Sequence, residues 1–280
     1  MGDENWNAGL ARDDGPIEPV DLRTDQPHPA RVYDFLLGGK DNYPADRAAA
    51  ELGMSRSPEV RDIALANRAF LRRAVTDVAR SGVRQFLDLG TGIPTSPNVH
   101  EVAQSVYSGA RVVYVDNDPI VSAHARALLA SAGTTNLVQA DLRDIDAILD
   151  HPGTQRLIDF REPVAVMMVA ILHHIPDESD PRGIAQRLME RAAPGSHLVV
   201  AHLGADLAPE KAKGVSAAAA QQGITLLPRD RSVIESFFDG LEMLDPGLVR
   251  LPLWRPNGPD DPEAGDVAKV WSYGGVARKP

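Results

Sequence analysis

The chain contains no cysteine. Disulfides, thiolate nucleophiles and zinc sites built on sulfur are therefore excluded. No run of about 20 apolar residues occurs, so no segment reads as a membrane-spanning helix. The amino-terminal stretch has neither a basic start nor an apolar middle, unlike a signal peptide. A cytoplasmic protein is expected. Aromatic residues make up only 5 % of the chain. Basic residues are in deficit: 29 Lys and Arg against 39 Asp and Glu give a formal net charge of −10. Such a surface repels phosphate backbones, which argues against a general nucleic-acid binder. A local basic cluster, Arg68, Arg72 and Arg73, reads as a solvated helix face.

What is present is a sizeable core. Hydrophobic residues are 43 % of 280, enough for one large α/β domain with additions. Residues 1–25 are polar and acidic and are expected to be disordered. Residues 26–80 read as helical. A helix over 29–38 stops at Gly38-Gly39, another covers 44–53, and a third covers 58–80 with Pro58 in its first turn. In the third, Ile63, Ala66, Phe70, Ala74 and Val78 form one apolar face. From residue 84 short apolar runs (84–90, 111–116, 136–141, 163–172 and 196–204) alternate with helical patterns. Strands apolar on both faces mark a parallel sheet covered on both sides by helices. The fold class predicted is a doubly wound α/β domain. Two later stretches, near 247–254 and 268–277, are expected to form a terminal antiparallel pair around a polar loop at 255–266.

In such a sheet, ligands bind at the carboxyl ends of the strands. The first strand runs into RQFLDLGTGIPTSPN (84–98). Gly90 and Gly92 allow positive φ and close backbone approach, and a helix predicted from Asn98 aims its first amides at the same place. The cradle predicted covers residues 88–95. A dinucleotide would require G-x-G-x-x-G, but here Thr95 holds the third position, and Pro94 and Pro97 remove two amide donors. A ligand with an amino-acid head suits the turn better, because Asp88 at the strand end would meet its ammonium. The second strand ends YVDND. Asp116, followed by Asn117, stands where an acid accepts hydrogen bonds from ribose hydroxyls. The third ends at Asp141 and Leu142, which suit an adenine amino group and ring; Asp141 could equally cap the next helix.

Taken together, FLDLGTG, YVDND, QADLRD and VAVMMVAILHHIPD resemble the class I S-adenosylmethionine-dependent methyltransferases. The string HPARVYDFLLGGKDNYPADR, upstream of FLDLGTGIPTSPNVHEVAQ, is similar to a family of actinobacterial S-adenosyl methyltransferases. The resemblance runs from about residue 26 to the carboxyl terminus. It implies a Rossmann-like, mostly parallel seven-stranded sheet at 81–280 with an amino-terminal helical cap at 26–80. It implies S-adenosylmethionine as cofactor and S-adenosylhomocysteine as product. The family's cofactor-holding positions map onto Asp88, Gly90, Gly92, Asp116 and Asp141, with Thr91, Asn117 and Leu142 beside them. The usual last glycine of G-x-G-x-G falls at Pro94, a departure in the loop path. That loop, 93–97, is expected to be stiffened by its prolines and to line the methionine end of the cleft.

In that fold the methyl group emerges near the end of the fourth strand, where backbone carbonyls around Ala170 and Ile171 are expected to face the methionine end. His173 and His174 follow and are the candidates for a general base. A base is not required, since methyl transfer works largely by proximity. One histidine could instead pack while the other bonds the turn at Pro176. Adjacent side chains rarely chelate one ion, so no metal is expected. The acceptor expected is a small molecule methylated on oxygen or nitrogen, since His-His-Ile-Pro differs from the Asn/Asp-Pro-Pro-aromatic turn of enzymes that methylate nucleobase amines. Upstream, Tyr33, Gly39, Lys40, Asn42 and Tyr43 form a candidate lid reaching the cofactor. Two alternatives stand: a non-catalytic module binding S-adenosylmethionine or S-adenosylhomocysteine, and an NAD-dependent oxidoreductase.

Overall fold

The structure, a computed structural model, describes residues 22–129, 133–258 and 261–280. Most of the segment expected to be a disordered tail, 1–21, lies outside the described residues. Three helices come first: α1 (Pro29–Leu36), α2 (Pro44–Arg56) and α3 (Val60–Arg80). The alternating part follows as β1 (Gln85–Leu89), α4 (Val99–Val106), β2 (Arg111–Asp116), α5 (Pro119–Leu129), β3 (Thr135–Gln139), α6 (Ile145–Leu149), α7 (Pro152–Leu157), β4 (Ala165–Val169), α8 (Pro181–Arg191) and β5 (His197–Leu203). The chain closes with α9 (Pro209–Gln221), α10 (Arg231–Glu235), β6 (Glu242–Met243), β7 (Val249–Arg250) and β8 (Ser272–Arg278). The strand order is β3-β2-β1-β4-β5-β8-β6, with β7 also on β8. β1 to β5 pair in parallel, and β8 is antiparallel to its neighbours.

The two-residue alternation of strands divides the core into two layers. Phe86, Val112, Tyr114, Met167 and Val199 face one side, against α3 and α4. Leu87, Val113, Val166, Met168 and Val200 face the other, against α6, α7 and α8. All five residues of the apolar face expected on α3 are buried.

Among the described residues the sheet has eight strands, close to the seven expected. The apolar stretch 247–254 is shorter as a strand than its composition suggests: after Arg250 it turns into 3-10 helix at Leu251–Leu253. Pro252 has no amide to give to a ladder. The strand order reverses between β1 and β4, which places a ligand crevice at their carboxyl ends. α1 is held over that crevice by a buried contact, Arg31 Nε to Asp118 Oδ2 at 3.1 Å. His28 Nδ1 lies 3.0 Å from the same oxygen and 3.3 Å from the Ala30 amide. A carboxylate can only accept, so Nδ1 carries the proton and the Ala30 contact is not a hydrogen bond. Burial opposes the charge on Asp118, but His28, the Ile120 amide and Arg31 outweigh it and hold the pKa down.

Candidate active site

A cavity of about 530 Å³ lies at the carboxyl ends of β1, β2, β4 and β5, under α1–α3 and α9. Small-ligand sites span roughly 300–1,000 Å³. Gly90 and Gly92 stand at its edge with φ of 72° and 67°, a region glycine enters without penalty. Their bare faces differ. A Cβ on Gly90 would lie 2.4 Å from Ile171 Cγ1, whereas one on Gly92 would meet nothing within 4 Å. Gly90 is bare so that the end of β4 can close in. Gly92 leaves its face open. The amides of Gly90 and Thr91 both donate to the Val115 carbonyl, at 2.8 and 3.1 Å, tying the turn to β2.

Asp88 is buried on the cavity wall and accepts from the Thr91 hydroxyl at 3.0 Å. Burial raises its pKa to about 6, against the pull of Thr91 and Arg68. Among the described residues no backbone amide bonds it; the Thr91 hydroxyl spans the turn to it instead. Asp116 accepts one amide on each oxygen, Gly92 at 2.8 Å and Asp118 at 2.9 Å. Burial raises its pKa despite both amides. Capping of α5 falls to Asp118, which accepts from the Ile120 amide at 2.8 Å. Asn117, Asp141 and Leu142 also line the cavity. Asp141 accepts from the amide and guanidinium of Arg143, whose hydrogen bonds hold its pKa down. The cap of α6 is Asp144, which bonds the Ala147 amide.

Four of the expected lid contacts lie elsewhere. Gly39, Lys40, Asn42 and Tyr43 are off the cavity wall. Gly39 and Asn42 close instead on Asp34: its carbonyl accepts from the Gly39 amide at 2.9 Å, and its carboxylate accepts from the Asp41 amide at 3.0 Å and from Asn42 Nδ2 at 2.8 Å. A Cβ on Gly39 would sit 2.0 Å from Asp34 Oδ1. Tyr43 starts α2 with its ring centroid 5.8 Å from the Arg31 guanidinium, and Lys40 is exposed. The double glycine therefore serves the α1–α2 turn. Of that group Tyr33 reaches the wall, donating to the Ala64 carbonyl at 3.0 Å and accepting from Asn67 at 2.8 Å.

Loop 93–97 is also off the wall, against expectation. Arg68 Nη2 grips its carbonyls, Thr95 at 2.5 Å and Pro97 at 2.7 Å. The first turn of α4 is turned to other work: the Asn98 amide bonds Glu101, and the His100 amide bonds the Tyr114 hydroxyl. Residues before proline avoid helical backbone, so Pro94 and Pro97 delay α4 and carry it away from the glycine turn.

Past β4, Ala170 lines the cavity with φ 60°, a strained value for a residue bearing Cβ. A 3-10 turn at Leu172–His174 follows. Both histidines line the cavity, His173 buried and His174 half-buried. His174 Nδ1 lies 2.7 Å from the Thr225 carbonyl. That carbonyl only accepts, so Nδ1 carries the proton and Nε2 keeps its lone pair. A third histidine, His202 of β5, also lines the cavity. Its Nδ1 faces the Leu203 carbonyl at 2.8 Å and its Nε2 faces Arg229 Nη1 at 3.1 Å. Ring centroids are 4.6 Å apart for His173 and His174, and 5.2 Å for His173 and His202. Burial drives the pKa of His174 down to about 4 and that of His202 to about 3, and His173 falls well below the ordinary value. The trio is neutral at physiological pH.

Sequence reasoning passed over His202 and Arg229, and it read Arg68 as part of a solvated helix face, whereas Arg68 lines the cavity. Arg68 had a signal: it lies three residues before Leu71 and four after Ala64 on α3, and all three line the cavity. Of its neighbours, Arg73 is buried against the carbonyls of Trp254 and Leu251, and Arg72 pairs with Glu263.

The model of one protein family, described as S-adenosyl methyltransferase, matches residues 17–280. The chain belongs to the S-adenosyl methyltransferase family. A crystal structure of a DUF574-family protein from Streptomyces avermitilis is 42 % identical, covers 93 % of this chain and 100 % of its own, and superposes with a TM-score of 0.89. A protein from Thermobifida fusca described as a candidate methyltransferase is 40 % identical, with 95 % and 99 % covered and a TM-score of 0.87. A Mycolicibacterium smegmatis protein described as a candidate S-adenosyl-L-methionine-dependent methyltransferase is 31 % identical over 134 residues. That match spans 46 % of this chain and 41 % of the relative, less than half of either.

Family membership sets aside the NAD-dependent alternative and makes S-adenosylmethionine the cofactor of this methyltransferase. The cavity fits that cofactor on observations independent of the family. The face of Gly92 is open. Asp88 is a buried carboxylate whose hydrogen bond comes from a neutral hydroxyl. Asp116 gives one lone pair per oxygen to the backbone, leaving one on each for a ribose.

Proposed function

We propose that this methyltransferase transfers the methyl group of S-adenosylmethionine to oxygen or nitrogen of a small molecule, under a cap formed by α1–α3. Bound S-adenosylmethionine supplies an electrophilic methyl group on a sulfonium and leaves as neutral S-adenosylhomocysteine. Asp88 receives the ammonium of the methionine end and Asp116 the ribose hydroxyls. Gly90, Thr91 and Gly92 shape the turn between them, with Ala170 opposite. Asp141, Leu142 and Asn117 flank the adenine, and Tyr33 closes the cap side. Arg68, on the wall near Asp88, suits the methionine carboxylate. The observation that carries this reading is the buried Asp88, raised to about 6 by a site that lacks a cation at ion-pair distance among the described residues. Bringing up an ammonium removes that penalty.

An apolar part of the lining supports a small acceptor. α2 and α9 contribute Ala49, Gly53, Val215 and Ala219 to the wall, and a net charge of −10 disfavours nucleic acid. Calorimetry with S-adenosylmethionine, S-adenosylhomocysteine and NAD is the test. Micromolar binding of both sulfur nucleotides and none of NAD is expected, and absence of sulfur-nucleotide binding overturns the reading. Turnover on an acceptor distinguishes it from a module that only binds.

A further inference from the structure

The histidine trio is framed by one side chain. Arg229 is buried and all five of its N–H groups have partners. Nη1 donates to the Leu172 carbonyl at 2.9 Å and to His202 Nε2 at 3.1 Å. Nη2 donates to the Ile175 carbonyl at 2.8 Å and to Asp177 Oδ1 at 2.7 Å, and Nε reaches the same Asp177 oxygen at 3.2 Å. The two carbonyls bracket His173 and His174. Arg229 therefore clamps the turn that bears them onto β5. It also fixes which nitrogen of His202 accepts. The Thr225 carbonyl fixes His174 in the same sense, and leaves Nε2 with a lone pair in a side chain that lines the cavity.

Charge is distributed unevenly around this floor. The carboxylates and guanidinium groups on the wall are Arg68, Asp88, Asp116, Asp141 and Arg143. Arg68 is on α3 and the others sit at the ends of β1, β2 and β3, beside the expected cofactor. His28, paired with Asp118, is also on the wall. Ile63, Ala50, Val215, Ala219, Ile224 and Leu226 add an apolar part of the lining from α2, α3, α9 and the segment after α9. A charged acceptor packed against those side chains would be desolvated with no ion-pair partner among them.

We propose that the acceptor is an uncharged, largely apolar molecule whose hydroxyl donates a hydrogen bond to His174 Nε2, in a chamber between α2–α3 and α9 held in register by Arg229. This rests on the cofactor reading above and deepens it. In the transfer, a hydroxyl lone pair forms the new O–C bond. The C–S electron pair passes to sulfur, and the hydroxyl proton leaves along the bond to Nε2. A protonated ether is far more acidic than an imidazolium, so a weakly basic imidazole suffices to take the proton once the bond has begun to form. An alkylamine would enter as ammonium and bring a second cation beside the sulfonium.

The test uses the full chain labelled with ¹⁵N at histidine. Calorimetry first establishes that S-adenosylhomocysteine binds; if it does not, the cofactor reading falls and this one with it. In the saturated protein, long-range ¹H–¹⁵N spectra are expected to show His174 and His202 as Nδ1–H tautomers. The probes are 2-naphthol, 2-naphthoate and 2-naphthylmethylammonium. We expect 2-naphthol to bind at least tenfold tighter than either charged analogue and to move the His174 Nε2 resonance. His174→Leu should weaken 2-naphthol five- to tenfold with the S-adenosylhomocysteine affinity held within twofold, and His174→Gln should recover part of the loss. Arg229→Met should mix the His202 tautomers. A charged probe binding as tightly as 2-naphthol, an Nε2–H tautomer at His174, or an unmoved Nε2 signal overturns the proposal.

Discussion

Asp88 shows how one residue sets a binding equilibrium and a stability at once. Its carboxyl titrates near 6 in the free protein against 3.8 in the unfolded chain. For an acid with a raised pKa, the native state holds its proton longer. The cost of burying the charge therefore grows as pH rises from about 4 to about 6 and is constant above. Asp88→Asn removes that cost, and we expect it to stabilise the free protein at pH 7.5 by about 1–3 kcal/mol, the scale of two pKa units. The same variant should lose S-adenosylhomocysteine affinity by at least about tenfold, the typical effect of removing one partner of a desolvated charge pair. In the wild type the affinity should fall as pH drops below 6, because the carboxyl must shed a proton to meet an ammonium. Calorimetry between pH 5 and 8, alongside thermal melts, reads all three effects. A flat affinity over that range would count against Asp88 as the ammonium partner. The two glycines make a sharper pair. Gly90→Ala drives a Cβ into Ile171 and should cost about 2–4 kcal/mol, as overpacking adds to backbone strain. Gly92→Ala, with open space before it, should cost only about 1–2 kcal/mol of stability yet block the ligand face. Denaturant midpoints and calorimetry on both variants separate the roles.

At the scale of elements, α3 does more than cover the sheet. Its apolar face packs on β4, β5 and β8, while Arg68 lines the cavity and Arg73 turns into the closing turn. Arg73 donates to the Trp254 carbonyl at 2.9 Å and to the Leu251 carbonyl at 2.7 Å. Arg73→Met leaves two buried carbonyls unpaired, at roughly 1–3 kcal/mol each, so we expect a loss of about 2–4 kcal/mol in urea unfolding without loss of cofactor binding. A change under about 0.5 kcal/mol would mean that water replaces the guanidinium. The strand ends were legible in the sequence because the cavity-lining residues sit within two positions of each strand's last residue: Asp88, Asp116, Asp141 and Ala170 need no tertiary information. The α1–α2 turn was misread because Lys40 and Asn42 look like ligand-binding groups. Asp34, an acceptor a few residues upstream, takes the Asp41 amide and the Asn42 side chain locally. Arg229 was illegible for the opposite reason. Its partners Leu172, Ile175, Asp177 and His202 stand between 27 and 57 positions away, a distance at which no periodicity carries information.

For the whole molecule, the buried histidines and Asp88 pull stability in opposite directions as pH falls. A base with a depressed native pKa stays neutral in the fold while the unfolded chain takes up its proton from about pH 6.5 downward. Stability is therefore lost as pH falls from 6.5 toward the native value, about 4 for His174 and about 3 for His202, with His173 following the same sign. Each fully buried histidine contributes about 1.4 kcal/mol per pH unit. His174, open to the cavity, contributes less. Asp88 recovers about the same per unit between pH 6 and 4, since its native carboxyl binds the proton before the unfolded one does. Asp116, also raised by burial, acts with Asp88. Three histidines against two carboxylates should leave a loss of about 1 kcal/mol per pH unit between pH 6 and 4, a noticeable part of the 5–15 kcal/mol typical of a domain. Urea melts at pH 7, 6, 5 and 4.5 measure the slope. His202→Gln, which keeps an acceptor for Arg229, should reduce it by about 1 kcal/mol per unit. A wild-type slope near zero would show that the trio takes up protons in the native state and that the cavity floor carries charge.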